Sequence, residues 1–392
     1  MRLNTCKTFT RTLKSQLSSA HEVFGRFTTQ QRFSNSVLIN QQFNVAMSTT
    51  TTTDNNMKII KIGTHNGTFH CDESLACFMI KKLPSFENGT IIRSRETNEL
   101  NSCDIVVDVG GIYDPDSKRF DHHQKTFVKT LNDFFPEKNP KIGNIKLSSA
   151  GLIYAHYGHE ILARILDWNK DEQRTDIIFD MVYENFVKEV DAIDNGINMY
   201  ECEPVYHIHT HLSQRVANLK PHWNEEETHE ILYERFLKAV DLTGREFVEC
   251  VNYYGHSWYP ARQIVKEAFD KRFENDPSGR IILLNVGLPW IQHLFQIESE
   301  NNAEGQIAFA IFPDHDGWRI RAVPVSESSF ELRNPLKAEW RGLQADDVCR
   351  LSKIDGCVFV HSTGFIGGNK TIDGALQMAR ESLQCKKLKT DN

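Results

Sequence analysis

Acids and imidazoles gather in four short segments of the chain. THNGTFHCDE holds His65, His70 and Asp72, and VVDVG holds Asp108. FDHHQ holds Asp121, His122 and His123, and VDAIDNG holds Asp191 and Asp194. Burying ionisable neighbours without partners costs several kcal/mol, so a packed core has no use for a run such as Asp121–His123. Hard divalent ions take carboxylates, and imidazole suits Mn, Fe, Zn and Ni. An Asp/His set this large is enough for two metal ions. Two ions about 3.5–4 Å apart stabilise both the attacking and the leaving oxygen of a phosphate ester, so the chemistry implied is phosphoester hydrolysis. Taken singly, each segment has a plainer reading: an acid at a helix start, a turn, a solvated loop, a surface helix. The joint pattern carries the argument.

The residues within FDHHQ divide their roles. Successive side chains of an extended segment point apart, so His122 and His123 do not serve the same ion. His123 is assigned to the substrate phosphate, as hydrogen-bond donor or general acid near neutral pH. Asp121 is assigned to orienting an imidazole.

Strand ends and helix starts must hold these groups. MKIIKIGTH alternates and is rich in β-branched residues, predicting a strand that ends near His65. DESLACFMIKKLP predicts a helix opened by acids, closed by lysines and stopped at Pro84. GTIIRSR and CDIVVDVGG predict two more strands, the second apolar on both faces until Asp108, as in a buried parallel sheet. SSAGLIYAHYGHEILARIL predicts a helix capped by Ser148 or Ser149, and DIIFDMVYENFVKEVDAIDNGI a helix stopped at Asn195-Gly196. RIILLNV, QIAFAIFPDHDGWRIRAVPV and CVFVHS predict later strands, with a hairpin turn at DHDG, and TIDGALQMARESLQ a closing helix. The expectation is an α/β protein of two domains: a parallel-sheet catalytic domain over 57–245, a helical connector over 246–275 and a smaller mixed α/β substrate-binding domain over 276–385. The metal site is expected in the cleft between the domains.

Composition narrows the rest. The first 53 residues carry six basic residues, one acid and seventeen Ser or Thr, the signature of a mitochondrial transit peptide. Met47 offers a second start, whose product would stay cytosolic or nuclear. That segment holds a net +5, so the chain's net −7 leaves −12 on the remainder. A body that acidic does not bind nucleic acid broadly, and any contact must be a local groove or pass through bound metal. The nine scattered cysteines lack a C-x-x-C and are read as reduced thiols of an intracellular protein. No apolar run approaches the length of a membrane span, and no obligate protein partner is evident.

Asp108 with Asp121-His122-His123 resembles the second and third motifs of the DHH phosphoesterase superfamily, which includes manganese pyrophosphatases, single-strand exonucleases and small-nucleotide phosphodiesterases. More narrowly, GTHNGTFHCDESLACFMIKKLP, DVGGIYDPDSKRFDHHQ, LSSAGLIYAHYG, VDAIDNGIN, PLKAEWRGL and STGFIGGNKTIDGALQMAR are similar to the melanocyte-proliferating-gene (Myg) family of 3′-to-5′ RNA exonucleases, over roughly 57–385. The resemblance implies a two-domain DHH-phosphoesterase-like fold and a dinuclear site. His65, His70 and Asp108 would hold one ion. Asp72, Asp108, His122 and either Asp191 or Asp194 would hold the other, with Asp108 bridging and Asp194 nearer the helix end. The superfamily's first motif is His, three residues, Asp, one residue, Asp. Here four residues separate His65 from His70, and histidine stands where the first aspartate would be. That removes a negative charge and favours Mn²⁺ over Mg²⁺. The implied activity is metal-dependent hydrolysis of single-stranded RNA or a short oligonucleotide from its 3′ end. The alternatives are a phosphatase or phosphodiesterase of small phosphorylated metabolites or dinucleotides, and a non-catalytic metal-binding regulator.

Substrate-binding candidates lie farther along. Gly364, Gly367 and Gly368 in STGFIGGNK allow close backbone approach and a nest of amides for a phosphate, continued by Asn369 and Lys370. Asn369 stands where the related phosphoesterases carry a histidine. Arg333, Lys337 and Arg341 flank Trp340, a pattern that suits a single strand with a stacked base. HIHTHLSQR reads as a surface strand with His207, His209 and His211 on one face, and its Arg215 joins the substrate-binding set.

Overall fold

The computed structural model describes residues 58–139, 142–315 and 317–384. The expected transit segment and Met47 lie outside the described residues. Three parallel strands start the first sheet: β1 (Lys61–Thr64), β2 (Thr90–Arg93) and β3 (Ile105–Val107). Ile62 of β1 pairs with Ile91 on one side and Ile105 on the other. The short strands β4 (Tyr113–Asp114) and β5 (Arg119–Phe120) extend it in the order β2-β1-β3-β5-β4, with β5 parallel to β3. All of β3 is buried, as its unbroken apolar run requires. Because β1, β3 and β5 are parallel, their carboxyl ends share one edge, where the chain delivers His65, Asp108 and Asp121–His123.

Helices cover this sheet. They are α1 (Cys71–Lys81), α2 (Thr97–Asn101), α3 (Ser149–Leu166), α4 (Gln173–Val182), α5 (Lys188–Asp194), α6 (Leu212–Ala217) and α7 (His229–Asn252). Ser148 caps α3 by accepting the Gly151 N–H. A π-helical turn, Tyr183–Val187, joins α4 to α5, and the rod stops at Asn195 with Gly196 left-handed at φ +66°. Ile62, Leu75, Phe120, Tyr154, Phe179 and Phe247 meet in the core.

Helix α7 continues through a second π turn, Tyr253–Trp258, into α8 (Tyr259–Asp270) and the short α9 (Arg272–Asn275). Within the segment read as a connector, Phe247 and Val251 belong to the first core, while Val265 and Phe269 pack with Ile282 and Leu294. The second sheet comprises β6 (Ile281–Leu283), β7 (Phe309–Asp314), β8 (Gly317–Ala322), β9 (Cys357–Val360) and β10 (Ile366–Asn369), in the order β6-β7-β8-β10-β9. Only β6 and β7 run parallel. It packs with α10 (Ile291–Glu300), α11 (Ala345–Ser352) and α12 (Ile372–Gln384). The architecture is α/β with two sheets, the first mainly parallel and the second mixed.

Residues 207–211 form no strand. No neighbouring strand pairs with them among the described residues, so alternation alone produces none. Instead His211 caps α6, accepting the Gln214 N–H. The described cysteines are all free. No helix among the described residues is long and apolar enough to cross a membrane.

Candidate metal centre

The loop after β1 is braced from β2. Arg93 donates to the carbonyls of Gly67 (2.6 Å) and His65 (3.2 Å) while its guanidinium rests on Phe236. His65 donates from Nδ1 to the Asn66 carbonyl at 3.0 Å. Its Nε2 therefore points inward, 3.1 Å from Glu73 Oε1 and 3.3 Å from Asp108 Oδ2.

Asp108 leaves β3 in the left-handed region, at φ +59°. That region costs most side chains energy, though aspartate tolerates it better than most, and such strain clusters at functional sites. The turn places Asp108 between two imidazoles, with Oδ1 3.3 Å from His122 Nε2. Ser149 at the start of α3 donates to the same oxygen at 3.1 Å. Asp194, closing α5, brings Oδ2 to 3.2 Å from His122 Nε2. Three groups have ligand atoms within 4.8 Å of one another: His65, His70, Glu73 and Asp108; Asp108, His122 and His123; and Asp72, His122 and Asp194. Asp108 and His122 each belong to two of them.

The electrostatics of this cluster are those of crowded, buried acids. Asp72 is fully buried, and among the described residues no N–H or hydroxyl donates to either of its carboxylate oxygens. Among the described residues Glu73 Oε2 and His122 Nδ1 are also buried without a hydrogen-bond partner. Burial, and then the charges of Asp108 and Asp194, push Asp72 well above the usual carboxylate range. Asp194 is raised by burial too, although His122 opposes the shift. Burial pulls His65 down, but the bonds from Asp108 and Glu73 outweigh it and hold the imidazole at about 10. Burial would raise Asp108, yet His122 and His65 bring it below the ordinary range. Packed acids this poorly satisfied are costly unless cations join them. The donor set, carboxylates with imidazoles, fits a divalent metal.

The remaining expectations separate here. Asp121 lies apart from the three groups. It accepts the His123 Nδ1–H at 2.7 Å, the His123 N–H at 3.0 Å and the Gly111 N–H at 2.6 Å. His123 is exposed, and His70 is exposed at the start of α1. Asp191 faces away, toward the start of α3. It accepts from Ser148 N–H (2.9 Å), Ser148 Oγ–H (2.6 Å) and Tyr183 O–H (3.1 Å). It lies so close that a Cβ at Gly151 would fall 2.3 Å from its carboxylate. Asp191 is thus a clamp between α3 and α5, with burial raising it to about 7. Glu73 was not among the sequence candidates. The one cue to it is the second acid of CDES, which reads equally well as a dipole-stabilising residue of a helix start.

The substrate-binding candidates are elsewhere in the structure. The centre opens on a cavity of about 590 Å³ whose lining runs from His70 to Lys220, with no wall from the second sheet. The expected cleft shared with residues 276–385 is therefore absent from it. Gly367 and Gly368 are strand residues paired with β8 and β9, so their amides form no nest. Asn369 is buried, donating to the Asp355 carbonyl (2.9 Å) and accepting the Thr371 N–H (2.9 Å). Trp340 is buried, and Arg333 pairs with buried Glu298 at 2.7 Å. Arg341 donates to the Leu336 carbonyl at 2.8 Å, and Arg215 pairs with Glu246. Lys370 stays exposed.

Comparison with known proteins identifies the family. Residues 61–383 match the profile of MYG1_exonuc, described as "Uncharacterised protein family (UPF0160)". The "MYG1 exonuclease" of Mus musculus is 48% identical over 326 residues, 82% of this chain and 84% of that protein. The "MYG1 protein C27H6.8" of Caenorhabditis elegans is 49% identical over 329 residues, 82% of this chain and 95% of that protein. Among solved structures, RecJ of Thermus thermophilus in complex with Mn2+ is 13% identical with a TM-score of 0.22, covering 83% of this chain and 52% of that one, a likeness too weak to bear on the fold. The profile match and these identities, over most of both chains, place this chain in the MYG1 family.

Proposed function

We propose that this chain is a metal-dependent 3′-to-5′ exonuclease of single-stranded RNA, using two divalent ions, Mn²⁺ in preference to Mg²⁺. The observation that carries the metal-dependent part is Asp72, fully buried with both oxygens unpartnered beside Asp108 and Asp194, where parallel strands end. The exonuclease part follows the names of relatives 48% identical to this chain. His65, His70, Glu73 and Asp108 would hold one ion, and Asp72, His122 and Asp194, with Asp108 shared, the other. Bound there, the ions would supply charge neutralisation and Lewis acidity for phosphodiester hydrolysis. The chain's own groups do the rest. Asp121 fixes His123 through Nδ1, which leaves Nε2 of this cavity-lining residue to donate to a phosphate oxygen. Ser149 holds Asp108 in place.

Purified protein should shorten labelled single-stranded RNA stepwise from the 3′ end with Mn²⁺, and an Asp108→Ala variant should not. Stepwise loss from the 5′ end, or cutting of DNA alone, would refute the finer reading. A second reading, hydrolysis of dinucleotides or small phosphorylated metabolites, draws support from the acidic body and a cavity of about 590 Å³. Turnover of those substrates alone would select it. Metal binding without any hydrolysis would leave a metal-binding regulator. We further propose that residues 1–53 direct the chain to the mitochondrial matrix, and that a product from Met47 stays in the cytosol or nucleus. A reporter fused to residues 1–50 that remained diffuse in the cytosol would sink the first part.

A further inference from the structure

The cavity lining is of two chemical kinds. Asp72, Asp108, Asp194 and His122 belong to the metal centre; His211, Ser213 and Gln214 of the α6 region, with Lys220 and Lys146, line the same cavity outside it. Lys146 and Lys220 are half-buried, and among the described residues neither ammonium has a carboxylate at ion-pair distance. Burial lowers the Lys220 pKa, and the attraction of Glu73 does not offset it. His211 spends Nδ1 on the Gln214 N–H, which leaves Nε2 as the donor. The Lys146 ammonium lies over the Phe127 ring, 5.8 Å from its centroid, and a half-buried ammonium without a counter-charge loses hydration with little return. The two lysines share the cavity with the metal centre, so an anion held there can offer its oxygens to both. An ammonium on a flexible stem serves such a tetrahedral oxyanion as a point charge.

We propose that Lys220 and Lys146, with His211 Nε2–H, form a phosphate subsite in the same cavity as the metal centre, taking the non-bridging oxygens of a phosphomonoester or phosphodiester. The inference rests on the metal-centre reading above. It makes the grip on phosphate independent of the second sheet and blind to the identity of the base.

The test is titration of inorganic phosphate into the full chain loaded with Mn²⁺, followed by calorimetry, beside steady-state cleavage of a labelled oligonucleotide. A charge-assisted contact of this kind corresponds to about 10- to 100-fold, so Lys220→Met should weaken phosphate binding and raise KM by that factor. The kcat should stay within about threefold, as expected where ground state and transition state lose the same contact. Lys220→Arg should recover most of the binding, and Mn²⁺ affinity should be the same in all three proteins. Unchanged phosphate affinity in Lys220→Met, or no phosphate binding by the wild type, overturns the subsite. Oligonucleotide cleavage with identical KM in the variant also overturns it, while leaving the nuclease reading intact. Phosphate binding that depends on Lys220 without cleavage of any oligonucleotide supports the subsite and removes the nuclease reading instead.

Discussion

Asp72 and Glu298 are both buried acids, one beneath each sheet, and their surroundings are opposite. Glu298, in α10, accepts from Arg333 Nη1 (2.7 Å), the Ile307 N–H (2.9 Å) and the Gly305 N–H (3.4 Å). Its charge is answered from within the chain. Among the described residues no N–H or hydroxyl donates to Asp72, and the charges that act on it are those of Asp108, Asp194 and Glu73. A carboxylate whose partners are supplied is a structural part, whereas one left unsatisfied marks a place where something else binds. The same residue type at the same burial therefore reads as brace in one region and as ligand in the other.

The widest separation of the two regions should come from Asp108→Ala. It removes a carboxylate common to two ligand groups, and several kcal/mol of electrostatic stabilisation corresponds to a loss of activity on the order of 10²–10⁴-fold. Mn²⁺ affinity, by calorimetry, should fall with it. Retained metal affinity would break the comparison at its centre. The mirror experiment is Glu298→Ala. Leaving Arg333 buried without its acid should cost about 3–5 kcal/mol in denaturant unfolding, with Mn²⁺ affinity unchanged. A metal-binding defect there would show that the regions are not independent.

Metal removal sharpens the contrast further. An ion bound only by the native state at 100 times its Kd should add about 2.7 kcal/mol to stability. Chelation should remove that increment from the wild type and from Glu298→Ala alike. Asp72→Asn should show little metal-dependent shift in Tm. An equal shift in Asp72→Asn would mean that the unpartnered carboxylate has no part in binding.

Much of this was legible in the chain, for physical reasons that also mark where reading failed. The run through Val107 could only be a buried strand, so Asp108 had to emerge at its carboxyl end, and Gly196 stopped α5 just beyond Asp194. Glu73 escaped because a helix turns successive residues by about 100°, which lets adjacent acids be buried in different directions. Asp191 and Asp194 sit on one helix, and only the packing of α3, with Gly151 against the Asp191 carboxylate, shows which turns inward. The glycines of FIGGN misled for the opposite reason. A Cβ at Gly367 would meet Leu336 at 2.8 Å and the Phe359 carbonyl at 3.1 Å, so the demand for glycine comes from strand packing and not from a ligand.

Buried histidines repeat the contrast, with the smallest expected effect. His65 has two acids before Nε2 and is held at about 10. His293, in α10, has only a carbonyl: Nε2–H donates to Trp258 at 2.8 Å, and Nδ1 is unpartnered. Burial accordingly lowers it to about 4, with the Trp258 bond opposing the shift and the Arg262 charge adding to it. A base with a depressed folded pKa is neutral in the native state and takes up its proton on unfolding. Its contribution is therefore complete above the unfolded value near 6.5 and is lost as pH falls from there toward 4. Between pH 7 and pH 5.5 the loss should be about 1 kcal/mol, in addition to whatever the other groups contribute. His293→Gln should lose less stability over that interval than the wild type, both measured by denaturant unfolding with Mn²⁺ in constant excess so that the metal centre stays occupied. Equal losses would mean that His293 reaches water or a counter-charge when protonated, and the second region would then not be the self-satisfied half of the molecule.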